Sequence, residues 1–403
     1  MPVSSLPSLR FFDFTDKWSE SDLQEVSAKN ISYGIVQTGE YVDDGVPCIR
    51  VMDLTKEKIN TNELIKTSVE ISQSYKKTIL EKDELMIALR GEIGLTKLVN
   101  SELEGCNLTR GIARVSPKLD IIDPRFLELY LNSESSRVIF DKRKNGSALK
   151  EIPISELKKI PVRYPKLSEQ QKIADFLTAV DSKISQLTEK HRLLNEYKKG
   201  AMQQLFSQQL RFKDKDGNAF PDWDEKSIGD IMSESRVKGS GGDIAKKLTV
   251  KIWGKGVIPK NDDGRGSENT QYYKRKAGQF IYGKLDFLNC AFAIIPDDLD
   301  GYESTLDLPS FDVSSSVNRY FILELVKQKK FYKRFGEIAD GSRKAKRINV
   351  NVFQAMPIII PSKEEQDRIM AFLGALDQKV AAVAEQIEQT KQFKKGLLQQ
   401  MFV

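Results

Sequence analysis

The feature that most constrains the fold of this 403-residue chain is an internal repeat. Residues 161–206 align with residues 357–402 without a single gap. Near the end of each copy, KKGAMQQLF at 198–206 corresponds to KKGLLQQMF at 394–402. Chance similarity rarely survives so many residues without an insertion, so the match indicates an internal duplication.

The segments that precede the two copies also correspond. SLRFFDFTDKW at 8–18 resembles QLRFKDKDGNAFPDW at 209–223, and each variable block approaches its repeat copy through a Gly-Ser pair, at 146–147 and 341–342. The order is therefore variable block, helix, variable block, helix. Because Val403 falls where another LRF segment would be due, the start and the end of the chain would together complete one repeat. We expect a pseudo-twofold, nearly circular molecule.

Composition indicates a soluble protein without a disulfide framework. Lys and Arg number 63 against 57 Asp and Glu, a net charge of +6 that permits a polyanionic partner without demanding one. Cys48, Cys106 and Cys290 lie far apart with no CxxC spacing, which indicates reduced thiols and no zinc site. The sequence shows neither a signal peptide nor an apolar run approaching the ~20 residues that span a bilayer. We therefore expect a cytoplasmic protein with no membrane partner.

Both repeat copies carry a narrow apolar stripe. Its positions are spaced alternately four and three residues apart, which is the seam of a heptad repeat. Eight of the ten positions are apolar in each copy, and such a narrow stripe suits helix-on-helix pairing. The predicted seam positions are Ile173, Leu177, Val180, Ile184, Leu187, His191, Leu194, Lys198, Ala201 and Leu205, and then Ile369, Leu373, Leu376, Val380, Val383, Ile387, Thr390, Lys394, Leu397 and Met401.

Each copy is predicted to form a long helix that follows a proline. Ser168 with Gln171, and Ser362 with Glu365, have the spacing of a capping box. A helix of about 40 residues would be roughly 60 Å long. If the second helix leads back to the first block, the two pair antiparallel as a coiled coil. The predicted boundaries are 1–165 for the first domain, 166–208 for the central spacer helix, 209–361 for the second domain and 362–403 for the C-terminal spacer helix.

The predicted fold class is mixed α/β, with two globular α/β domains joined by the two long helices. Helices with an apolar face are predicted at 124–143 and, in the second block, at 317–335. Outside their ends the blocks share little sequence, so one scaffold would carry two different surfaces. Strands bounded by Gly, Pro and Asp are predicted at 46–54, 84–91, 111–117, 247–254, 278–288 and 290–296.

Basic residues cluster after the predicted helix of each block, next to the Gly-Ser pair. Gly-Ser turns flanked by Arg and Lys suit phosphate contact, through side-chain charge and exposed backbone amides. A solvated charge run is the alternative interpretation, but the recurrence at corresponding places favours a function. The candidate DNA-binding residues are Lys142, Arg143, Lys144, Asn145, Ser147, Arg343, Lys344, Lys346 and Arg347. Weaker candidates, without a second copy, are Arg110, Arg265, Lys274, Arg275 and Lys284.

The sequence gives no positive sign of catalysis. GQFIYGKL at 278–285 nearly matches a phosphate-binding loop, but Leu285 stands where a Ser or Thr would hold magnesium. The chain also lacks an Asn-Pro-Pro-aromatic tetrad for methylating an amino group. With His191 as its single histidine and no paired thiols, most zinc chemistry and His-based triads are excluded. We interpret the chain as non-catalytic, which disfavours a standalone methyltransferase or nuclease.

The arrangement of blocks and helices resembles the specificity subunit of a Type I restriction–modification enzyme. The most specific parts are EQQKIADFL at 169–177, KEEQDRIMAFL at 363–373 and the KKGxxQQxF endings of both helices. The LRF…W segments at 9–18 and 210–223 agree with the resemblance, which covers the whole chain.

The resemblance implies two target-recognition domains, each reading one half of a split, asymmetric site on double-stranded DNA. The paired helices would act as a spacer and as a dock for two methyltransferase subunits, which carry S-adenosylmethionine and methylate adenine. Restriction subunits that hydrolyse ATP with Mg and translocate DNA would join them, so that this chain itself would need no cofactor and no metal. The alternative is a structural coiled-coil scaffold linking two protein-binding domains, which would lack salt-dependent, sequence-selective DNA binding.

Overall fold

The computed structural model describes residues 7–146, 150–261, 267–337 and 347–402. The chain divides into two units. Unit 1 comprises Met1–Lys190 together with Val383–Val403, and unit 2 comprises His191–Ala382. Each unit therefore contains parts of both predicted long helices.

Three sheets form the β structure described in unit 1. A two-stranded antiparallel sheet pairs β1 (Ser19–Asp22) with β9 (Pro161–Tyr164). The central antiparallel sheet has the strand order β2 (Ser32–Tyr33), β8 (Ile112–Val115), β5 (Leu85–Ala88) and β6 (Thr96–Leu98). The third sheet has the order β4 (Ile65–Thr67), β3 (Val46–Ile49) and β7 (Asn107–Leu108), in which β3 and β7 run parallel.

The helices of unit 1 pack around these sheets. They are α1 (Val51–Leu54), α2 (Val69–Ser74), α3 (Pro124–Leu131), α4 (Glu134–Arg143), α5 (Ile154–Lys158), the first part of α6 (Leu167–Phe206) and the last part of α11 (Lys363–Met401). Single 3-10 turns lie at Thr61–Glu63 and Lys76–Thr78.

Strand β5 is buried on both faces, because successive side chains of a strand point in opposite directions. Leu85 and Ile87 pack in the core that also contains α3, α4 and the start of α6. Met86 and Ala88 pack in a second cluster on the other face of the strand. The continuous apolar run of this strand therefore serves two cores.

Unit 2 repeats this plan with more strands. β10 (Asp224–Ser227) pairs antiparallel with β20 (Pro357–Ile360). The central antiparallel sheet has the order β11 (Met232–Ser235), β19 (Ser310–Val313), β16 (Phe280–Tyr282) and β17 (Phe292–Ile294). A three-stranded sheet has the order β12 (Lys238–Gly241), β15 (Gln271–Lys274) and β18 (Glu303–Ser304), and β13 (Leu248–Val250) pairs with β14 (Val257–Pro259).

The helices of unit 2 again follow the sheet strands. They are the end of α6, then α7 (Ile228–Ile231), α8 (Arg319–Val326), α9 (Lys329–Gly336), α10 (Val350–Gln354) and the first part of α11 (Lys363–Met401), with 3-10 turns at Phe287–Asn289 and Asp297–Leu299. Strand β16 is buried on both faces, like β5. Phe280 and Tyr282 lie in the main core and Ile281 in the second cluster.

The long helices α6 and α11 meet antiparallel within unit 1. Lys394 Nζ lies 2.6 Å from Asp181 Oδ1, while Leu397 and Met401 share a core with Ile173. Moving forward along α11 thus corresponds to moving backward along α6. All twenty predicted seam positions of the two helices are buried or half-buried.

Unit 2 contains the equivalent helix contact. Lys198 on α6 forms an ion pair with Asp377 on α11, and Leu205 shares the main core with Ile369. The two seam lysines are therefore each matched by an aspartate at the same place of the repeat. A polar residue at a seam position commonly fixes the register of paired helices.

A buried Arg–Glu pair joins each LRF segment to the start of a long helix. Arg10 donates to both carboxylate oxygens of Glu169, at 2.8 and 2.7 Å. Arg211 donates to those of Glu365, at 3.2 and 2.8 Å. The two glutamate side chains are 2% and 0% exposed, so each carboxylate is removed from water and held by its arginine.

In each long helix, the glutamine that follows this glutamate binds the start of a second helix. Gln170 Oε1 accepts a hydrogen bond of 2.8 Å from the amide of Asp123, the residue that caps α3. Gln366 Oε1 accepts an equivalent bond of 2.8 Å from the amide of Asn318, which caps α8. These glutamines give the EQQ and EEQ motifs a structural role.

The LRF segments follow the ends of the long helices in the same way in both units. The Leu210 amide donates to the carbonyl of Gln204 at 3.2 Å, and the Leu9 amide donates to the carbonyl of Gln400 at 3.0 Å. The residues before and after the repeat copies thus occupy corresponding places.

The predicted mixed α/β fold class with two long helices is confirmed, but several predicted elements differ in extent. The strand predicted at 46–54 ends at Ile49. The Arg50 amide donates a hydrogen bond to the Asp53 carboxylate, and this contact caps the start of α1. The helix predicted at 124–143 is two helices, since Ser133 caps α4. Its counterpart at 317–335 likewise breaks into α8 and α9.

The predicted capping boxes are only half right. Ser362 Oγ accepts a hydrogen bond of 3.4 Å from the Glu365 amide, as predicted. The Glu365 side chain, however, binds Arg211 and not the start of the helix. The box at Ser168 is wrong, because α6 begins at Leu167 and places Ser168 inside its first turn.

We expect Glu365→Gln to lower the free energy of unfolding by about 2 kcal/mol, because the two buried hydrogen bonds from Arg211 lose their charged acceptor. Denaturant unfolding followed by circular dichroism and tryptophan fluorescence measures the change. The matched control is Glu364→Gln at the exposed neighbouring position, which should stay within about 0.5 kcal/mol of the parent. Equal effects of the two substitutions would contradict the role of the pair.

Candidate nucleic-acid interface

The basic run of unit 1 leads from the end of α4 into a loop that returns to the central sheet. Lys142 and Arg143 are the last residues of α4, and Lys144 caps it. Asn145 exchanges two backbone hydrogen bonds with Glu151, of 2.8 and 3.0 Å, which close the loop. Ser147 lies outside the described residues.

Two of these cations are engaged within unit 1. Arg143 Nη1 lies 3.2 Å from Glu156, and Lys144 Nζ lies 2.6 Å from Asp141. The hydrogen bond from Lys144 lowers the pKa of the Asp141 carboxyl. Lys142 is exposed and has no ion-pair partner in the part of the chain that the structure describes.

Two further arginines lie at the end of the central sheet beside this loop. Arg90 forms a backbone bridge with Glu151, the residue that closes the loop. Because Ala88 of β5 pairs with Ile112 of β8, Arg90 and Arg110 continue the same antiparallel register beyond the strand ends. Both arginine side chains are exposed, and neither forms an ion pair with a described residue.

The absence of a side chain at Gly111 leaves room for the Arg90 side chain. A β-carbon added at Gly111 would lie 2.7 Å from Arg90 Nε, which is closer than a side chain can approach. Sequence analysis missed Arg90 and ranked Arg110 low. The recurring Arg-Gly pairs at 90–91 and 110–111 are the signal that could have found them.

Unit 2 places basic residues at the equivalent end of its central sheet. The Ile348 amide donates to the carbonyl of Lys284 at 3.1 Å, as the Ile152 amide donates to the carbonyl of Leu89 at 2.9 Å in unit 1. Lys284 therefore follows β16 as Leu89 follows β5. Arg347, a predicted site residue, directly precedes Ile348 in the chain.

Lys284 lies in a cluster of charges. Burial lowers the pKa of Lys284, and Arg236 and Arg347 act in the same direction, while Asp307 and Glu234 oppose them. Arg347 Nη1 lies 3.4 Å from Asp307, and Arg236 Nη2 lies 2.8 Å from Glu234. The predicted residues Arg343, Lys344 and Lys346 lie outside the described residues.

The described residues offer surfaces suited to binding polyanions. No group of three or more His, Cys, Asp or Glu in the described part of the chain is arranged to hold a metal ion. In the same residues, no helix combines the length and the apolar character needed to cross a membrane. Exposed arginines and lysines at the ends of both central sheets are the groups that contact phosphate in DNA-binding proteins.

A family model matches the first part of the chain. Residues 15–196 match the model of the Type I restriction modification DNA specificity domain. The specificity subunit of the Escherichia coli Type I restriction enzyme EcoBI is 31% identical over 160 residues, which are 39% of this chain and 34% of that protein. The alignment thus spans about a third of that relative.

Other relatives match over nearly the whole chain. The putative Type I restriction enzyme MjaX specificity subunit of Methanocaldococcus jannaschii is 22% identical over 96% of this chain and 93% of its own. The Type I S subunit structure from M. genitalium covers 99% of both chains, with a TM-score of 0.53 and 14% identity. The HsdS subunit structure from Thermoanaerobacter tengcongensis covers 95% of this chain and 94% of its own, with a TM-score of 0.57 and 16% identity.

The duplicated plan of the two units, the repeated EQQ and EEQ contacts and these similarities agree with one another. Residues 15–196 match the Type I restriction modification DNA specificity domain, and the predicted resemblance of the chain to Type I specificity subunits is confirmed.

Proposed function

We propose that this chain is the DNA sequence-recognition subunit of a Type I restriction–modification complex. Each unit would read one half of a split, asymmetric site on double-stranded DNA. One observation carries the proposal. The two units share their framework contacts, from the Arg10–Glu169 and Arg211–Glu365 pairs to the capped helices α3 and α8, yet differ in the side chains at the ends of their central sheets.

The proposed division of the chain follows from this function. Residues 1–165 and 209–361 would be the target-recognition domains, and residues 166–208 and 362–403 would be the spacer helices. The heptad seam would hold the helices together, leaving their exposed faces for two methyltransferase subunits.

The chain itself would be non-catalytic and cytoplasmic, and it would bind no cofactor. S-adenosylmethionine would be carried by the methyltransferase subunits, and ATP with Mg would be used by restriction and translocase subunits. This assignment is supported by the missing methyltransferase tetrad and by the incomplete phosphate-binding loop that ends at Leu285.

Contacts to DNA would divide into two kinds. The basic residues at the sheet ends, both the predicted set and Arg90, Arg110 and Lys284, would hold phosphates and position the duplex. Sequence would be read by other side chains that reach base edges in the major groove, where all four base pairs are distinguishable.

We expect the methylated adenines of cells that carry this chain and its methyltransferase partner to define a split motif. The motif should vanish when only this chain is deleted, because the partner would lose its sequence recognition. Genome-wide mapping of methylated adenine measures both states. Identical maps in a strain with an active methyltransferase would contradict the proposal and favour a scaffold role.

Replacing residues 210–361 with the corresponding block of a related subunit should change one half of the methylated motif. The other half should stay as it was, because unit 1 keeps its own surface. The same mapping of methylated adenine reports the result. Changes in both halves would contradict recognition by separate units.

Arg90→Ala should weaken DNA binding by the assembled complex similarly for all sequences and lower the slope of log affinity against log salt by about 1, because one phosphate contact is lost. Titrations of a fluorescent duplex at several salt concentrations measure both effects. Arg163→Ala is the matched control, since Arg163 is engaged by Glu20 at 2.6 Å. A parental salt slope in the Arg90 variant would show that Arg90 holds no phosphate.

A further inference from the structure

Unit 2 presents an exposed tryptophan on a basic hairpin. The hairpin consists of β13, β14 and the connecting residues 251–256. Its root is buried, since Leu248, Val250 and Val257 are 2%, 8% and 9% exposed and pack on the second face of the central sheet. At its tip the Trp253 side chain is 54% exposed. Tryptophan side chains are highly buried on average, so an exposed one is uncommon.

The backbone at the tip is held in an unfavourable conformation. Trp253 has a φ of +63°, which is rare for a bulky residue. Two hydrogen bonds of 2.7 Å maintain it, from the Trp253 amide to the Asn289 carbonyl and from the Gly254 amide to the Cys290 carbonyl. Strain of this kind persists where surrounding structure enforces it, and it is concentrated at functional sites.

The charge of the hairpin itself indicates what the tryptophan contacts. Residues 251–260 contain three lysines and no acidic residue. Lys251 and Lys255 flank the tryptophan, are exposed and form no ion pair with a described residue. Lysine is depleted in the centres of protein–protein interfaces, whereas it is common in contacts with the phosphates of DNA. Charge complementarity therefore favours DNA over a protein partner.

The position of the hairpin agrees with this partner. The carbonyls that hold Trp253 and Gly254 belong to the connection between β16 and β17. The same connection begins with Gly283 and Lys284, and Lys284 belongs to the cluster of charges described above for unit 2. The hairpin tip and that cluster therefore lie on the same connection of the central sheet.

We propose that the β13–β14 hairpin is the element of unit 2 that enters the major groove, with Trp253 contacting base pairs and Lys251 and Lys255 holding the flanking phosphates. This inference rests on the proposed function. The major groove admits a two-stranded ribbon. The indole offers an apolar ring and one N–H donor, which match the thymine methyl group and the acceptors of the base edges.

The decisive variant is Trp253→Gly, assembled with the methyltransferase partner. Glycine adopts a positive φ without cost, so this substitution removes the side chain while favouring the native backbone. The probes are a duplex carrying the methylated motif mapped in cells and duplexes changed at each base pair of that motif. Affinity for each duplex is measured at several salt concentrations.

We expect Trp253→Gly to bind the parental duplex about ten-fold more weakly and to lose discrimination at one or two adjacent base pairs of one half-site. The other half-site should be read as before, and the salt slope should not change. Lys255→Ala should instead weaken binding to all duplexes alike and lower the salt slope by about 1. Tyr320→Ala is the control for truncating an equally exposed aromatic residue, also 54% exposed, and should behave as the parent.

If the Trp253→Gly complex discriminates at every base pair as well as the parental complex does, the assignment of Trp253 is overturned. A uniform loss of affinity with discrimination retained would overturn it as well. Neither result would affect the proposed function, provided that the parental complex binds its motif selectively. Failure of the parental complex to select any sequence would instead overturn the proposed function itself.

Discussion

Each unit depends on packing between the start of one long helix and the end of the other. In unit 1, Leu397, Met401 and Phe402 are at most 6% exposed and complete the core that contains α3. In unit 2, Leu205 lies in the main core and Phe206 packs against it. The ring centroid of Phe206 is 5.2 Å from that of Phe321. Truncating one such side chain costs about 2–5 kcal/mol. A chain cut after residue 190 would therefore leave unit 1 without part of its core.

Polar contacts make this packing specific. Hydrophobic seams tolerate shifts of register, whereas an ion pair is formed in one register alone. The Lys394–Asp181 pair sets the register within unit 1, and the Lys198–Asp377 pair sets it within unit 2. These pairs are half-exposed, so they add little stability, and their value lies in excluding alternative alignments. The buried Arg–Glu pairs have a different role, because losing one partner strands a charge.

Sequence predicted what depends on local periodicity and missed what depends on distant pairing. The heptad spacing and the duplication are visible along the chain, so the long helices and the mixed α/β class could be predicted. The partners Arg10 and Glu169 are 159 residues apart, and no local pattern joins them. Arg90 was missed because its place beside Arg110 follows from the register of β5 and β8. The internal ion pairs of Arg143 and Lys144 also required three-dimensional contacts.

The separation of framework from surface explains how one duplicated plan can carry two different surfaces. The contacts that recur lie on the LRF segments, the helix starts and the caps, and none of them involves the basic residues at the ends of the central sheets. At those ends the units diverge, since Leu285 of unit 2 occupies the place that Arg90 has in unit 1. Substitutions there leave the buried pairs and the cores intact. Each unit can therefore change its exposed side chains without changing the contacts that fold it.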